Sequence, residues 1–272
     1  MRIYESQRNA LDALKCIRLS DEEELLRLVD DFRNHRNENL VDYLQGDAFS
    51  DDASGKVACY VVMDNDNDIL CFFALKTGLL YSEFEELKLY EQHKKLKIRF
   101  LELTENKRSK ETEAIIRKLQ KELEESKDKI IRQLGSFDEL PQHKHVALAY
   151  SAVEISHFCV NEAYRKKWDS FNFGDRNRIG LTLFWHFIVQ KISEIGRLIG
   201  CEYVYLFAAD GTSDRLLVNH YKNMMGFRDD LDVLTIQPMY DFRCTFLCNT
   251  VKSLVGGRER FYDHFNDNED IV

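Results

Sequence analysis

Val153-Glu-Ile-Ser-His-Phe-Cys-Val160, followed at once by Asn161-Glu-Ala-Tyr-Arg165, is the stretch that decides the fold. Its first part ends a β-prone run, Val146–Val160, which we predict to be one long strand. Side chains two residues apart share a face of a strand. The pattern therefore predicts two faces, with Val153, Ile155 and His157 on one, and Glu154, Ser156 and Phe158 on the other.

Three further segments follow this strand in an order that is informative. Gly180 precedes the segment Leu183–Ile199, which is predicted to be a strongly amphipathic helix. The short apolar run that follows, Cys201–Ala208, is predicted to be a buried parallel strand. The next segment, Asp214-Arg-Leu-Leu-Val-Asn-His-Tyr-Lys-Asn-Met-Met-Gly-Phe227, reads as a helix that ends at Gly226. Asp210 and the residues after it predict a turn and an N-cap for that helix. The alternation of strands and helices predicts an α/β fold.

These motifs, in this order, resemble the acyl-CoA core of the GNAT N-acetyltransferase superfamily over residues 55–80 and 145–250. The resemblance implies a mixed, mostly antiparallel central sheet flanked by helices. It also implies direct transfer of an acetyl group from acetyl-CoA, as co-substrate, to a primary amine, with no metal. Leu40–Phe49 and Val61–Leu75 are loosely similar to the toxin-type GNAT subgroup, which acetylates aminoacyl-tRNA. The acceptor amine is therefore a small molecule, a protein or an aminoacyl-tRNA.

The resemblance also implies a place for the cofactor. The fourth strand splays from the fifth at a bulge, and backbone groups of Phe158, Cys159 and Val160 pair with the amides of pantetheine. The phosphate loop departs from the family pattern by one residue, whether it is read as Asp175–Gly180 or as Asn177–Thr182. The other residues expected at the cofactor are Arg165, Arg176, Arg178, Ile179, Gly180, Leu181 and Asp214.

Four residues are candidates for the chemistry. Tyr221 matches the family tyrosine that protonates the departing thiolate, a role that a phenol can fill at neutral pH. Glu154 and His157 are candidates for the base that takes a proton from the amine, and Asp210 acting through water is another. An amine of low pKa, such as that of an aminoacyl ester, needs no protein base. Transfer of a longer acyl chain stays open, with Trp168, Phe171 and Trp185 to line a tunnel.

The middle of the chain lies outside the family pattern. No glycine or proline occurs between Gly78 and Gly135, and apolar residues recur at helical spacing. We predict an antiparallel, coiled-coil-like helical hairpin over residues 81–137, inserted between the third and fourth strands. One long helix that forms a homodimer is the alternative. The hairpin's basic clusters and apolar stripes make it a candidate site for a protein partner or a large substrate.

Composition bounds the remaining possibilities. The formal net charge is −9 at pH 7, which opposes sequence-independent binding to nucleic acid without a local basic patch. Seven cysteines without a Cys-x-x-Cys pair indicate reduced thiols and no zinc site, so we expect a cytoplasmic protein. No apolar run is long enough to predict a membrane span. An alternative function is a non-catalytic GNAT-like module that docks a protein partner through the hairpin.

The sequence also predicts how the chain is divided. Residues 1–80 and 138–250 are the two halves of the acyltransferase domain, residues 81–137 are the insertion, and residues 251–272 are an acidic tail that is loose from Gly256 onward. Smaller elements are also predicted. They are a helix over Asp21–Arg33 with Ser20 as N-cap, a helix over Leu40–Phe49, a hairpin of Lys56–Met63 with Ile69–Lys76, and a closing hairpin of Leu231–Gln237 with Tyr240–Asn249.

Overall fold

The fold was analysed in a computed structural model, which describes residues 3–83, 85–105, 110–134, 146–174, 178–210, 214–236 and 244–265. Six strands form one sheet in the order β1-β2-β3-β4-β5-β6. They are β1 (Lys15–Arg18), β2 (Ala58–Met63), β3 (Ile69–Glu83), β4 (Val146–Val160), β5 (Tyr203–Ala209) and β6 (Cys244–Thr250). The β1–β2, β2–β3 and β5–β6 pairs are antiparallel and the β4–β5 pair is parallel. The predicted fold class, a mixed and mostly antiparallel sheet flanked by helices, is confirmed.

Eleven α-helices lie within the described ranges. They are α1 (Glu5–Asp12), α2 (Leu25–Leu28), α3 (Glu38–Gln45), α4 (Ala48–Ala53), α5 (Glu85–Glu105), α6 (Lys110–Leu134), α7 (Arg165–Asp169), α8 (Ile179–Leu183), α9 (Val189–Ile199), α10 (Leu216–Met225) and α11 (Val251–Asp263). A π-helical stretch, Phe184–Ile188, joins α8 to α9. None of these helices has the length and apolar composition needed to cross a bilayer.

The described residues form two compact units. The first comprises Met1–Leu80, Tyr150–Leu231 and Ile236–Val272, and the second comprises Tyr81–Ala149 and Asp232–Thr235. In the second unit α5 and α6 contact each other, as the two arms of the predicted hairpin must. Leu119 and Ile130 of α6 are buried, which agrees with the apolar stripe read from the sequence. Residues 106–109, between the two helices, lie outside the described residues.

Two apolar clusters hold the sheet of the first unit. In the larger cluster α8, α9 and α11 pack against Val153 and Ile155 of β4 and Val204 and Leu206 of β5. In the smaller cluster the segment from α2 to α4 packs against the opposite face of β2 and β3. Apolar side chains alternate between the two clusters along β2 and β3, as a sheet covered on both faces requires. The two faces of β4 therefore pack against different apolar clusters.

The turn between β2 and β3 is fixed by a lysine. The Lys167 ammonium lies 2.5 Å from Asp64 Oδ2, 2.7 Å from Asp66 Oδ2 and 2.8 Å from Asp68 Oδ2. The Tyr164 hydroxyl donates a 2.7 Å hydrogen bond to Asp64, and burial raises the pKa of this tyrosine. Tyr164 of the Tyr-Arg motif is thus a packed structural residue. It ties the chain after β4 to the β2–β3 turn.

Several local predictions are wrong. The segment predicted as one helix over Asp21–Arg33 is α2 flanked by two short 3-10 turns, and the segment predicted as a helix over Leu40–Phe49 is divided between α3 and α4. Helix α1 was not predicted at all. Short amphipathic segments lack the sustained periodicity from which a boundary can be read.

The predictions for the end of the chain also need correction. Within residues 231–236 the chain forms only an isolated bridge from Leu234 to Tyr81, and β6 pairs with β5. The prediction of a closing hairpin is therefore wrong for the residues that the structure describes. The tail is not loose through Phe265, because α11 occupies Val251–Asp263 and buries Leu254, Tyr262 and Phe265 in the larger cluster. Residues 266–272 lie outside the described residues.

Candidate functional site

Strands β4 and β5 are paired over only a short length. The parallel ladder joins Ala152, Val153 and Glu154 to Tyr203, Val204 and Tyr205. In the described residues it ends there, although β4 continues to Val160 and β5 to Ala209. We call the space between residues 158–160 of β4 and residues 206–209 of β5 the β4–β5 gap. It lies where the sequence predicted that the fourth strand would splay from the fifth.

The backbone at the end of β4 shows which groups face this gap. The Asn161 amide donates a 2.8 Å hydrogen bond to the Leu70 carbonyl on β3. Backbone groups of neighbouring residues point to opposite edges of a strand. Those of Val160, and by the same alternation Phe158, therefore point toward the β4–β5 gap. By the same alternation the backbone groups of Cys159 lie on the β3 side. The pairing of these three residues with pantetheine stays a prediction.

The side chains of β4 that face the larger cluster shift from odd-numbered to even-numbered positions before the gap. We call this shift a change of side-chain phase. Val153 and Ile155 join the larger apolar cluster, and so do Phe158 and Val160, whereas Cys159 belongs to the smaller one. One residue is therefore gained between Ile155 and Phe158, which is what a β-bulge does. The predicted alternation is wrong beyond this point, because His157 lies on the face opposite Ile155 and Phe158 lies on the same face as Ile155. The change of phase agrees with the predicted bulge, which stays a prediction.

The start of α8 approaches the end of β4 closely. A Cβ on Gly180 would lie 3.3 Å from Val160 Cγ2 and 3.9 Å from Phe158 Cζ. Arg178, the N-cap residue, is exposed and Leu181 is buried. The first amides of a helix have no intrahelical partner and attract anions. The structure thus brings Ile179, Gly180 and Leu181 together with Phe158 and Val160.

Tyr221 lies on α10, whose N-terminus is capped by Asp210. The Asp210 carboxylate accepts hydrogen bonds from the amides of Leu217 at 2.7 Å and Val218 at 3.1 Å, which is a structural role. Burial raises the pKa of Tyr221 to about 12, with a smaller contribution from nearby Cys159. The tyrosine ring is T-shaped against Phe227, with centroids 6.0 Å apart. This phenol is therefore protonated at neutral pH and lies near the end of β4.

Glu154 occupies the last rung of the β4–β5 ladder. Its carboxylate is 3 % exposed, accepts a 2.9 Å hydrogen bond from the Tyr205 hydroxyl and lies 3.1 Å from the Lys76 ammonium. A buried carboxylate is stabilised by partners of this kind. The Glu154 carboxylate is thus engaged by two side chains, and its role as a base stays a prediction.

His157 lies at the bulge and packs against α3. Its ring is stacked on Tyr43, with centroids 3.8 Å apart and an interplanar angle of 4°. Nδ1 is 3.1 Å from Ser156 Oγ. Burial, followed by the nearby Lys76 ammonium, lowers the pKa of His157 to about 4. His157 is neutral at pH 7 but is a weak base.

The remaining predicted residues do not join this group. Arg165 is exposed on α7, 3.8 Å from Glu162, and Asp214 is exposed before α10. Arg176 lies outside the described residues. Trp168 packs against Phe173 in the core, with centroids 4.7 Å apart. The roles of Arg165, Arg176 and Asp214 stay predictions.

The structure adds one residue to the gap that the sequence did not indicate. Asn34 is 8 % exposed, and its Nδ2 donates a 2.9 Å hydrogen bond to the Val160 carbonyl. No motif marks Asn34, which is 126 residues away along the chain. Only the three-dimensional arrangement could reveal it.

Two other features lie apart from the gap. An open groove of about 470 Å³ is lined by Cys201, Glu202, Tyr203, Thr250 and their neighbours, at the opposite end of β5. It contains none of the predicted site residues. The carboxylates of Asp64, Asp66 and Asp68 have the spacing of a cation site, but they surround the Lys167 ammonium. Lys167 thus provides the positive charge for this cluster.

The chain is similar to several solved structures at low sequence identity. AtaT complexed with acetyl-methionyl-tRNAfMet is 12% identical with a TM-score of 0.45, and the match covers 89% of this chain and 96% of that one. A mutant of KacT is 10% identical with a TM-score of 0.47, and the match covers 89% of this chain and 97% of that one. A polyamine N-acetyltransferase of Drosophila melanogaster is 13% identical with a TM-score of 0.30, and the match covers 87% of this chain and 99% of that one. No protein-family model and no curated protein sequence matches the chain.

Proposed function

We propose that this protein is an N-acetyltransferase that moves an acetyl group directly from acetyl-CoA to a primary amine. The observation that carries the proposal is the β4–β5 gap, whose β4 edge presents the backbone groups of Phe158 and the N–H of Val160. An amide-bearing chain such as pantetheine can pair with that edge as an added strand does. The start of α8, beside Val160, is a suitable site for the pyrophosphate.

Tyr221 is the proposed acid. The amine nitrogen attacks the thioester carbonyl carbon, and collapse of the tetrahedral intermediate breaks the C–S bond. The electron pair leaves with sulfur, which takes a proton or a hydrogen bond from the Tyr221 hydroxyl. Because the pKa of Tyr221 is about 12, the hydroxyl carries its proton over the whole physiological range.

The proposed acceptor is an amine of low pKa. The Glu154 carboxylate is already engaged by Lys76 and Tyr205. His157, with a pKa of about 4, is too weak a base for proton removal from an alkylammonium ion. The amine of an aminoacyl ester has a lower pKa than an alkyl amine, so a larger fraction of it is uncharged near neutral pH. After attack it loses a proton to water. We therefore propose an aminoacyl ester, either free or on tRNA, ahead of an alkyl amine or a protein lysine.

The first test is calorimetric titration with acetyl-CoA and with CoA, followed by turnover with a panel of amines. We expect one-to-one micromolar binding and turnover that favours aminoacyl esters over alkyl amines of similar size. Absence of binding at millimolar acetyl-CoA would overturn the acetyltransferase proposal. It would favour the alternative of a non-catalytic module that docks a protein partner through α5 and α6.

Tyr221→Phe tests the proposed acid. We expect turnover to fall about 100-fold, since general acid catalysis contributes factors of that order, while acetyl-CoA binding and the melting temperature stay unchanged. Tyr203→Phe is the matched control, because Tyr203 lies in the paired part of β5. Equal activity of the two variants would exclude Tyr221 as the acid.

The cellular compartment, the division of the chain and the role of the helical unit are also proposals. Free cysteines, of which Cys59, Cys71, Cys159 and Cys248 are buried, suit a reducing compartment such as the cytoplasm. The proposed division into residues 1–80, 81–137 and 138–250 is supported at its first boundary, where one compact unit ends at Leu80, whereas the second unit continues to Ala149. We propose the helical unit as the contact for a large acceptor, a protein partner or a second copy.

A further inference from the structure

We infer that Lys76 determines which amines this protein acetylates, because its ion pair with Glu154 leaves the acceptor side of the β4–β5 gap without net charge. This inference rests on the proposed function. The Lys76 ammonium lies 3.1 Å from Glu154 Oε2, and the Tyr205 hydroxyl donates to the same oxygen at 2.9 Å. Within the described part of the chain, Glu154 Oε1 has no such partner. It is therefore the atom that can accept a hydrogen bond from an amine.

The ion pair lies where the thioester end of acetyl-CoA is expected. With the pyrophosphate at the start of α8 beside Val160, pantetheine runs along β4 toward the end of the gap at which β4 and β5 are still paired. Glu154 and Tyr205 form the last paired rung there. The sulfur and the acetyl group of a bound cofactor therefore come near the ion pair.

The ion pair also lies on the face of the sheet from which an acceptor can approach. Val153 and Ile155 flank Glu154 on β4 and pack in the larger cluster with α8 and α9, so the Glu154 side chain points to the opposite face. Lys76 follows Leu75, which belongs to the larger cluster, so Lys76 shares the face of Glu154. Since the cofactor enters on the α8 side, the amine must reach the thioester from this opposite face.

The charges at this place decide which amine is favoured. A carboxylate alone would attract an alkylammonium ion and provide a site for its proton. With Lys76 beside it the pair has no net charge, and a second cation is repelled by the Lys76 ammonium. His157 has a pKa of about 4 and is uncharged near neutral pH, and Asp51, whose charge acts on it, is paired with Lys56 at 2.6 Å. An uncharged amine can still donate an N–H to Glu154 Oε1, so the site favours it.

Two variants of the pair should shift this preference in opposite directions. The measurement is the ratio of kcat/KM for two acceptors near neutral pH. One is the most active aminoacyl methyl ester of the amine panel, and the other is the alkyl amine that has the same side chain but no ester group. Lys76→Met leaves the carboxylate without its cation, so the ratio of ester to alkyl amine should fall about tenfold. Glu154→Gln leaves the ammonium without its anion, so the ratio should rise about tenfold.

Lys76→Arg and Lys191→Met are the matched controls. Arginine keeps the positive charge beside Glu154 and should keep the ratio within about threefold of wild type. Lys191 forms an ion pair with Glu194 at 2.9 Å, but it lies on α9 against Tyr60 of β2 and away from the gap. Its replacement should leave the ratio unchanged.

The pH dependence supplies a readout that a merely structural role would not change. In wild-type protein, kcat/KM for the alkyl amine should rise about tenfold per pH unit above neutral pH, because only the uncharged amine reacts and its pKa is about 10. In Lys76→Met the slope should be shallower, because the carboxylate then binds the ammonium form and takes its proton.

An unchanged ratio in folded Lys76→Met and Glu154→Gln would overturn the inference, as would the same shift in Lys191→Met. Glu154→Gln keeps the size of the side chain, and it decides the question should Lys76→Met fail to fold. If wild-type protein neither binds acetyl-CoA nor acetylates any amine, the proposed function and this inference are both overturned. If wild-type protein is active and the ratio responds to neither charge, only the role of Lys76 is overturned.

Discussion

The two edges of β5 differ in how far they are paired. Along one edge all seven residues, Tyr203–Ala209, pair with Cys244–Thr250 of β6. Along the other edge, pairing with β4 stops at Tyr205. Since β5 is regular enough to complete a full ladder with β6, the gap does not come from a defect in β5. It comes from the departure of β4.

Two features account for that departure. The change of side-chain phase between Ile155 and Phe158, of the kind that a β-bulge produces, alters the course of β4. Beyond it the strand is held toward β3, because Asn161 donates to the carbonyls of Leu70 and Ile69, each at 2.8 Å. The lesson is that one change of phase and one well-anchored asparagine can separate two neighbouring strands.

The largest effect is expected at the last paired rung. Gly78→Ala would place a Cβ against the ring of Tyr205, which itself bonds Glu154. Overpacking of this kind should lower the free energy of unfolding by about 2 kcal/mol, measured by urea denaturation. Gly256→Ala is the control, because its Cβ would meet nothing closer than Arg260 Nη1 at 4.0 Å. It should stabilise α11 by about 0.5 kcal/mol. Equal stability of both variants would contradict the assignment of a tight last rung.

A somewhat smaller effect is expected on the unpaired side. Gly180→Val should weaken acetyl-CoA binding about tenfold, since the added methyl groups would occupy the space between α8 and Val160. The measurement is calorimetric titration. Gly196→Ala, on the same continuous helix, is the control, because its Cβ would make an ordinary 3.5 Å contact with Val251 Cγ1. Unchanged affinity in Gly180→Val would place the pyrophosphate elsewhere.

The smallest effect concerns His157, just past the last rung. Its folded-state pKa of about 4 lies below the unfolded value of 6.5, so the unfolded state binds the proton more readily. The stabilisation is present above pH 6.5 and is lost as the pH falls toward 4. When the pH is lowered from 7 to 5.5, protonation of this histidine in the unfolded state should reduce the free energy of unfolding by about 1 kcal/mol. His157→Gln should remove that part of the pH dependence, as followed by chemical denaturation. An identical pH dependence in the two proteins would mean that His157 titrates normally.

Long elements were predictable from sequence, whereas short ones were not. The run Val146–Val160 and the helix beginning near Gly180 were recognised because periodicity and turn residues agree over many positions. Helix α1 and the turns around α2 were missed because their boundaries depend on packing against the sheet.

The candidate site divides in the same way. Phe158, Val160, Gly180 and Tyr221 were accessible from motif order, because they lie on elements that the sequence defines well. Asn34 and the partners of Glu154 were not, because Lys76, Tyr205 and Asn34 meet the site from distant parts of the chain. A sequence pattern reports what is near along the chain and gives no measure of such contacts.

The lysine at the β2–β3 turn has one more consequence. Only an uncharged lysine can attack a thioester, and the proposed function would bring the lysines of this chain into contact with acetyl-CoA. The three carboxylates around Lys167, with Asp64 foremost, raise the pKa of this lysine and keep it as an ammonium ion. The ion pairs that fix the turn therefore also make Lys167 a poor nucleophile toward any thioester.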